Sequence, residues 1–163
     1  CNYSTTNHDP IQIINLDINK NTKTLYDCLN HYTSEFILDN ENLWTCDKCN
    51  HKVKSIKKTI FWKTSDILVI CIKRFNQLDD KFIEYPEKLH LENYNINFGT
   101  RKKNIYILQG FIVHNGSLDM GHYYSVCKNR VLDNWYKYND DEIIDFNNDY
   151  LNENPYILFY KRL

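Results

Sequence analysis

Two short segments hold the residue types and spacing best suited to chemistry: Gly121-His122-Tyr123-Tyr124-Ser125-Val126 and Trp135-Tyr136-Lys137-Tyr138-Asn139-Asp140-Asp141. Both read as strands, joined by a short polar turn around Asn129 and Arg130. Antiparallel pairing brings the start of the first beside the end of the second, so His122 is expected next to Asn139. An imidazole held through one ring nitrogen by a side-chain amide presents its other nitrogen as a base, as in Cys-His-Asn hydrolases. The expected arrangement has Nδ1–H on the Asn139 carbonyl and Nε2 as the base. A neutral Asn suffices, because a cysteine thiolate would supply the negative partner of the imidazolium. Asp140 and Asp141 could add charge nearby. On these residues alone, a plain strand-edge histidine beside an ordinary turn is the favoured alternative.

A nucleophile is harder to find among the six cysteines. Cys28 falls on the apolar face of a helical pattern, and Cys71 lies within the aliphatic run Ile67-Leu68-Val69-Ile70-Cys71-Ile72. Both read as inert small hydrophobes with raised thiol pKa values. Cys127 shares a strand with His122 at odd separation and so faces the other side of the sheet. Cys46-Asp47-Lys48-Cys49 has the two-residue spacing of a zinc knuckle, although a redox motif can share it. Cys1, His8 and His51 are available as further ligands. Cys1, opening Cys1-Asn2-Tyr3-Ser4, resembles the second half of another knuckle whose first cysteine lies upstream. The expected metal ligands are thus Cys1, Cys46 and Cys49, an incomplete structural zinc site, with no catalytic cofactor.

The elements that position these residues follow from periodicity. Ile11 to Ile18 alternates like a half-buried strand, ended by a polar turn from Asn19 to Thr22. Thr24 with Asp27 forms a capping-box-like start to a helix reaching about Ser34, with Leu25, Cys28, Leu29 and Tyr32 on one face. Strands are expected at Val53 to Trp62, Ile67 to Ile72 (buried on both faces), Phe82 to Tyr85, Ile105 to His114, His122 to Lys128, Asn134 to Asn139 and Tyr156 to Lys161. Asn76 to Asp80 and Asn97 to Asn104, with Gly99, read as loops. One early helix followed by many strands implies an α+β fold with a mainly antiparallel sheet.

Composition narrows the function classes. With 163 residues, 42% hydrophobic and 15% aromatic, the chain can bury one sizeable core as a single domain. The formal charge of -1 gives no global field to attract nucleic acid or an anionic membrane. A zinc ribbon contacting phosphate through Lys52, Lys54, Lys57 and Lys58 is therefore disfavoured. No apolar run approaches a bilayer span and no signal pattern opens the chain, so an intracellular protein, cytoplasmic and/or nuclear, is expected. The sole methionine is Met120 and the first residue is Cys1, so an upstream segment is expected as well.

Taken in order, Thr24 to Leu29, Cys46 to Cys49, Ile67 to Phe75, Tyr85-Pro86, Gly110 to Gly116, Gly121-His122-Tyr123, Trp135 to Asp140 and Tyr156 to Tyr160 resemble the C-terminal portion of the ubiquitin-specific protease family. The resemblance covers essentially the whole chain and reverses the preference stated above for a plain histidine. It implies a papain-like cysteine protease fold in which residues 1–163 are the fingers and palm of a partial catalytic domain. The helical thumb with the nucleophilic cysteine is not in this chain. It implies a deubiquitinating thiol hydrolase that cuts peptide or isopeptide bonds after the ubiquitin C-terminal glycine. By position, His122 would be the general base, Asn139 its orienting residue, and Asp140 an aid in polarising the oxyanion region. His114, Gly121 and Tyr123 would line the channel for the ubiquitin tail. Expected partners are ubiquitin or ubiquitinated proteins, not nucleic acid or membrane, and the isolated chain is expected to be inactive. The alternative is a catalytically silent module that binds ubiquitin or another protein.

Overall fold

The computed structural model describes residues 1–74, 81–94, 104–117, 120–147 and 149–163. The expected loop Asn76 to Asp80 lies outside these residues, as do Phe75 and all of the second loop except Asn104.

After β1 (Ile14–Asp17), a polar turn closes on itself: the Asn19 side chain accepts from the Asn21 and Thr22 N–H groups at 2.9 and 3.1 Å. Helix α1 (Leu25–Thr33) then starts at an extended Thr24. Its hydroxyl accepts from the Asp27 N–H at 3.1 Å while the Asp27 carboxylate accepts from the Thr24 N–H at 2.9 Å. The N–H groups of Lys23 and Thr24 hold the Asp27 carboxyl below its usual pKa. Leu25, Cys28 and Leu29 are fully buried, which places the helix with its apolar face on the core. The helix is therefore where its cap and periodicity put it.

Next come β2 (Glu35–Leu38), β3 (Trp44–Cys46), β4 (His51–Val53) and β5 (Ser55–Lys58), in two small antiparallel ribbons, β2–β5 and β3–β4, separate from the main sheet. The single strand expected over Val53 to Trp62 is thus two short ones. The chain changes pairing partner at Lys54, so one continuous ladder is impossible.

The main sheet has eight strands, completed by β6 (Ile67–Lys73), β7 (Lys88–His90), β8 (Ile105–Gly116), β9 (Gly121–Asn129), β10 (Asn134–Asn139), β11 (Glu142–Asp145) and β12 (Ile157–Arg162). Their order is β1-β6-β12-β8-β9-β10-β11, with β7 beside β8. Among the described residues, β1–β6 is the one parallel strand pair of this sheet and the other strand pairs are antiparallel. Phe82 to Tyr85 is not a strand. Glu84 makes one bridge to Thr24, while Ile83 and Tyr85 are sunk in the core. Apolar alternation there reports burial without a partner ladder. In the segment from Ile11, Ile14 and Leu16 are buried in the core and Ile18 packs against it, while Ile11 and Ile13 are exposed.

The core joins α1 to this sheet through Leu16, Ile70, Ile72, Leu108, Phe111, Val126, Leu158 and Tyr160. Buried phenols are paired: Tyr160 donates to the Pro86 carbonyl and Tyr85 to the Tyr150 carbonyl, each at 2.6 Å. Among the described residues, no helix is long and apolar enough to cross a membrane.

Candidate active site

Strands β9 and β10 pair from Asn134↔Asn129 to Tyr138↔Ser125. Extending that register sets Asn139 level with Tyr124, so His122 is its diagonal neighbour on the same face. Their side chains meet, with His122 Nε2 at 2.5 Å from Asn139 Oδ1. An amide oxygen only accepts, so Nε2 carries the hydrogen and Nδ1 is left as the basic nitrogen. This reverses the expected use of the two nitrogens. Proximity followed from strand pairing, but which edge of the ring faces Asn139 depends on the side-chain rotamer, which no residue pattern encodes.

Asp140 follows in a two-residue loop between β10 and β11, with φ +51, a left-handed conformation that Asp and Asn tolerate better than most residues. Its Oδ2 lies 3.8 Å from His122 Nε2, so its charge stands beside the imidazole. Both side chains are substantially exposed, as an open site requires.

On the neighbouring strand, β8–β9 pairing sets His114 opposite Tyr123, Asn115 opposite His122 and Gly116 opposite Gly121. The His114 and Tyr123 rings pack at 4.4 Å between centroids. A Cβ at Gly121 would lie 1.9 Å from His114 Nε2, so the imidazole occupies the space any other residue would need. His114, Gly121 and Tyr123 therefore pack together on the sheet face opposite to that of His122, which alternates with Gly121 and Tyr123 along β9.

The residue pattern missed a second layer under the pair. Tyr124 donates a hydrogen bond to Glu153 Oε2, and Lys137 Nζ lies 3.5 Å from Glu153 Oε1 and 3.9 Å from the centre of the Tyr124 ring. Burial, and then the Glu153 carboxylate, push the Tyr124 phenol well above its usual pKa. Lys137 shares an inward face with buried Trp135, a signal that it needs a partner. Glu153 sits in the irregular stretch Asn152-Glu153-Asn154 and carries no such signal.

Away from the main sheet, Cys46 ends β3 and Cys49 lies in the turn to β4, with Cys1 beside them. The three Sγ atoms lie within 4.8 Å of one another and could hold a metal ion. The Cys1–Cys46 separation of 3.8 Å matches the roughly 3.75 Å edge of a tetrahedron with Zn–S near 2.3 Å. Cys1–Cys49 at 2.9 Å would have to widen. Burial pushes the Cys46 thiol up, but the N–H groups of Cys49 and Lys48 outweigh it and the net shift is down. Hydrogen bonding to Cys46 pushes the Cys49 thiol up. His51 Nδ1 lies 2.8 Å from the Cys49 carbonyl and His8 packs edge-on against Trp62; neither joins the cluster. If the three thiolates hold zinc, replacing Cys46 with Ser is expected to lower the bound zinc towards none. Metal analysis before and after chelation checks this.

The other cysteines are poor nucleophiles. Burial pushes Cys28 up to about 11 and also raises Cys71 and Cys127. Lys54 and Lys58 pair with Asp39 and Glu35, so two of the four lysines of the ribbon reading already have acidic partners.

Residues 11–160 match the family model described as ubiquitin carboxyl-terminal hydrolase. A probable ubiquitin carboxyl-terminal hydrolase of Acanthamoeba polyphaga mimivirus is 40% identical over 85% of this chain and 31% of its own length. Ubiquitin carboxyl-terminal hydrolase 8 of Saccharomyces cerevisiae is 33% identical over 98% of this chain and 36% of its own. Among solved structures, the SAGA Ubp8/Sgf11/Sus1/Sgf73 DUB module bound to ubiquitin aldehyde contains a chain similar to this one. It has a TM-score of 0.84 and 33% identity, over 99% of this chain and 38% of that one. The chain thus spans about a third of the length of these relatives. The likeness covers nearly the whole chain and supports an α+β papain-like fold. With the family model covering nearly the whole chain and the histidine-bearing strands in their expected pairing, the chain belongs to the ubiquitin carboxyl-terminal hydrolase family and matches the C-terminal portion of a ubiquitin-specific protease domain.

Proposed function

We propose that this chain supplies the general base, its orienting residue and the ubiquitin-facing surface of a deubiquitinating cysteine hydrolase, working with an upstream thumb that carries the nucleophile. Residues 1–163 are then the fingers and palm of that catalytic domain. The observation that carries the reading is the His122–Asn139 contact at 2.5 Å, which leaves Nδ1 to meet a thiol.

In this mechanism His122 Nδ1 takes the thiol proton, and the thiolate attacks the carbonyl carbon of the terminal ubiquitin glycine. The C–N bond breaks as the imidazolium gives its proton to the departing amine. Water, deprotonated by the same nitrogen, then attacks the thioester and the thiol leaves. Asn139 keeps the ring aligned through both half-reactions. Asp140 adds negative charge beside the imidazolium and stands where it could help order the oxyanion region. His114, Gly121 and Tyr123 border the channel for the diglycine tail, where the missing Cβ at Gly121 keeps the wall tight.

The ubiquitin globule would rest on the fingers, whose ribbons expose Phe36, Ile37 and Ile56. That a similar chain is solved with ubiquitin aldehyde supports this partner. Zinc at Cys1, Cys46 and Cys49, completed by a fourth ligand, would brace the finger tip and take no part in the chemistry. Six free cysteines suit a reducing compartment, cytoplasm or nucleus.

The second reading is a silent ubiquitin-binding module. The two are separated by assay on a ubiquitin C-terminal fluorogenic amide. The chain alone is expected to bind ubiquitin weakly and release no fluorophore. The longer protein with its thumb is expected to release it continuously. A longer protein that binds ubiquitin yet stays inert would favour the silent module.

A further inference from the structure

The Tyr124–Glu153–Lys137 cluster lies outside the residues that the proposed reaction uses. Tyr124 is two residues along β9 from His122, and Lys137 is two residues along β10 from Asn139. All four share one sheet face. Glu153 reaches that face from the segment leading into β12, and its two carboxylate oxygens divide between the strands, Oε2 taking the Tyr124 hydroxyl and Oε1 the Lys137 ammonium.

We propose that Glu153 is a positioning residue: by clamping Tyr124 and Lys137 it fixes the stagger of β9 against β10, and hence the His122–Asn139 contact. The inference rests on the proposed function and adds a residue to it. Three features carry it. The Lys137 and Glu153 side chains are 23% and 19% exposed, so their pairing is less screened than a surface ion pair. Lys137 is also held against the Tyr124 and Phe146 rings at 3.9 and 5.2 Å, so the cation has one defined place. Beyond the clamp the direct β9–β10 register stops at Tyr138↔Ser125, so the half-buried Asn139 and the exposed His122 meet through their side chains alone.

The test uses the longer, thumb-bearing protein. Glu153→Leu removes both contacts, Glu153→Gln removes the charge but keeps an acceptor, and Tyr124→Phe removes only the hydroxyl. For the ubiquitin fluorogenic amide, kcat is expected to fall about tenfold or more for Glu153→Leu and less for the other two, with KM within about twofold throughout. The rate at which iodoacetamide alkylates the nucleophilic thiol at neutral pH is expected to fall in the same order, since it reads the imidazole–thiol pair directly. A purely structural clamp would lower the folded fraction and leave both quantities unchanged per folded molecule. Unchanged kcat and alkylation in Glu153→Gln and Tyr124→Phe would overturn the inference, even if Glu153→Leu failed to fold. A wild-type protein that releases no fluorophore would instead overturn the function on which it rests. In that case alkylation of the thiol in the same variants still decides whether Glu153 positions His122.

Discussion

His122→Ala in the thumb-bearing protein is expected to lower kcat for a ubiquitin C-terminal fluorogenic amide by about 10⁴-fold, the upper end of what a general acid–base contributes. One nitrogen is asked to activate the thiol, protonate the departing amine and deprotonate water, so no step is spared when it goes. Ubiquitin binding is expected to persist, because the finger and palm surfaces are untouched. Asn139→Ala is expected to cost about 10²-fold or less, since the imidazole remains but loses the contact at 2.5 Å that orients it. Asn139→Asp keeps an oxygen on Nε2–H and is expected to retain most of the activity. Single-turnover release of the fluorophore checks all three. Activity that survives His122→Ala would place the base elsewhere.

Gly121→Ala is expected to produce the second large loss, about 10²-fold in kcat/KM, with the fold retained. The added methyl carbon would sit 1.9 Å from His114 Nε2 and 2.5 Å from its Cε1, so the imidazole must leave its place against Tyr123. That movement disturbs the wall proposed to border the channel for the diglycine tail. The collision has a specific signature: if it is with the imidazole, Gly121→Ala combined with His114→Ala is expected to be no worse than His114→Ala alone. Additive losses would show that the glycine matters through the backbone instead. Thermal unfolding of each variant alongside the kinetics separates the two contributions, since neither Gly121 nor His114 belongs to the buried core.

The sequence by itself determined the elements whose local and pairing rules agree. Thr24 and Asp27 start α1 because each satisfies a backbone donor of the other, an interaction four residues long. Leu68, Ile70 and Ile72 bury one face of β6 on the core as the apolar run implies, but Ile67 is exposed and Val69 half-buried on the other, so the run marked the strand and not the expected cover on both faces. His122 and Asn139 could be brought together on paper because a short turn joins their strands and antiparallel pairing leaves one outcome. The knuckle Cys46 to Cys49 and its neighbour Cys1 were legible from the spacing of thiols.

Tertiary structure decided what depends on partners distant in the chain. Phe82 to Tyr85 had the alternation of a strand but found no neighbour to ladder with, whereas β2, β3, β7 and β11 are three or four residues each and too short to leave a period. The hydrogen on Nε2 rather than Nδ1 follows from the side-chain rotamer that turns Nε2 towards Asn139 Oδ1. Glu153 was invisible because nothing local marks a glutamate in a polar stretch. Only when β12 pairs between β6 and β8 does its lead-in segment bring Glu153 to the face of β9 and β10 where Tyr124 and Lys137 offer it a hydroxyl and a half-buried ammonium. Short-range rules fix which residues can do chemistry; the long-range strand order fixes which others hold them in place.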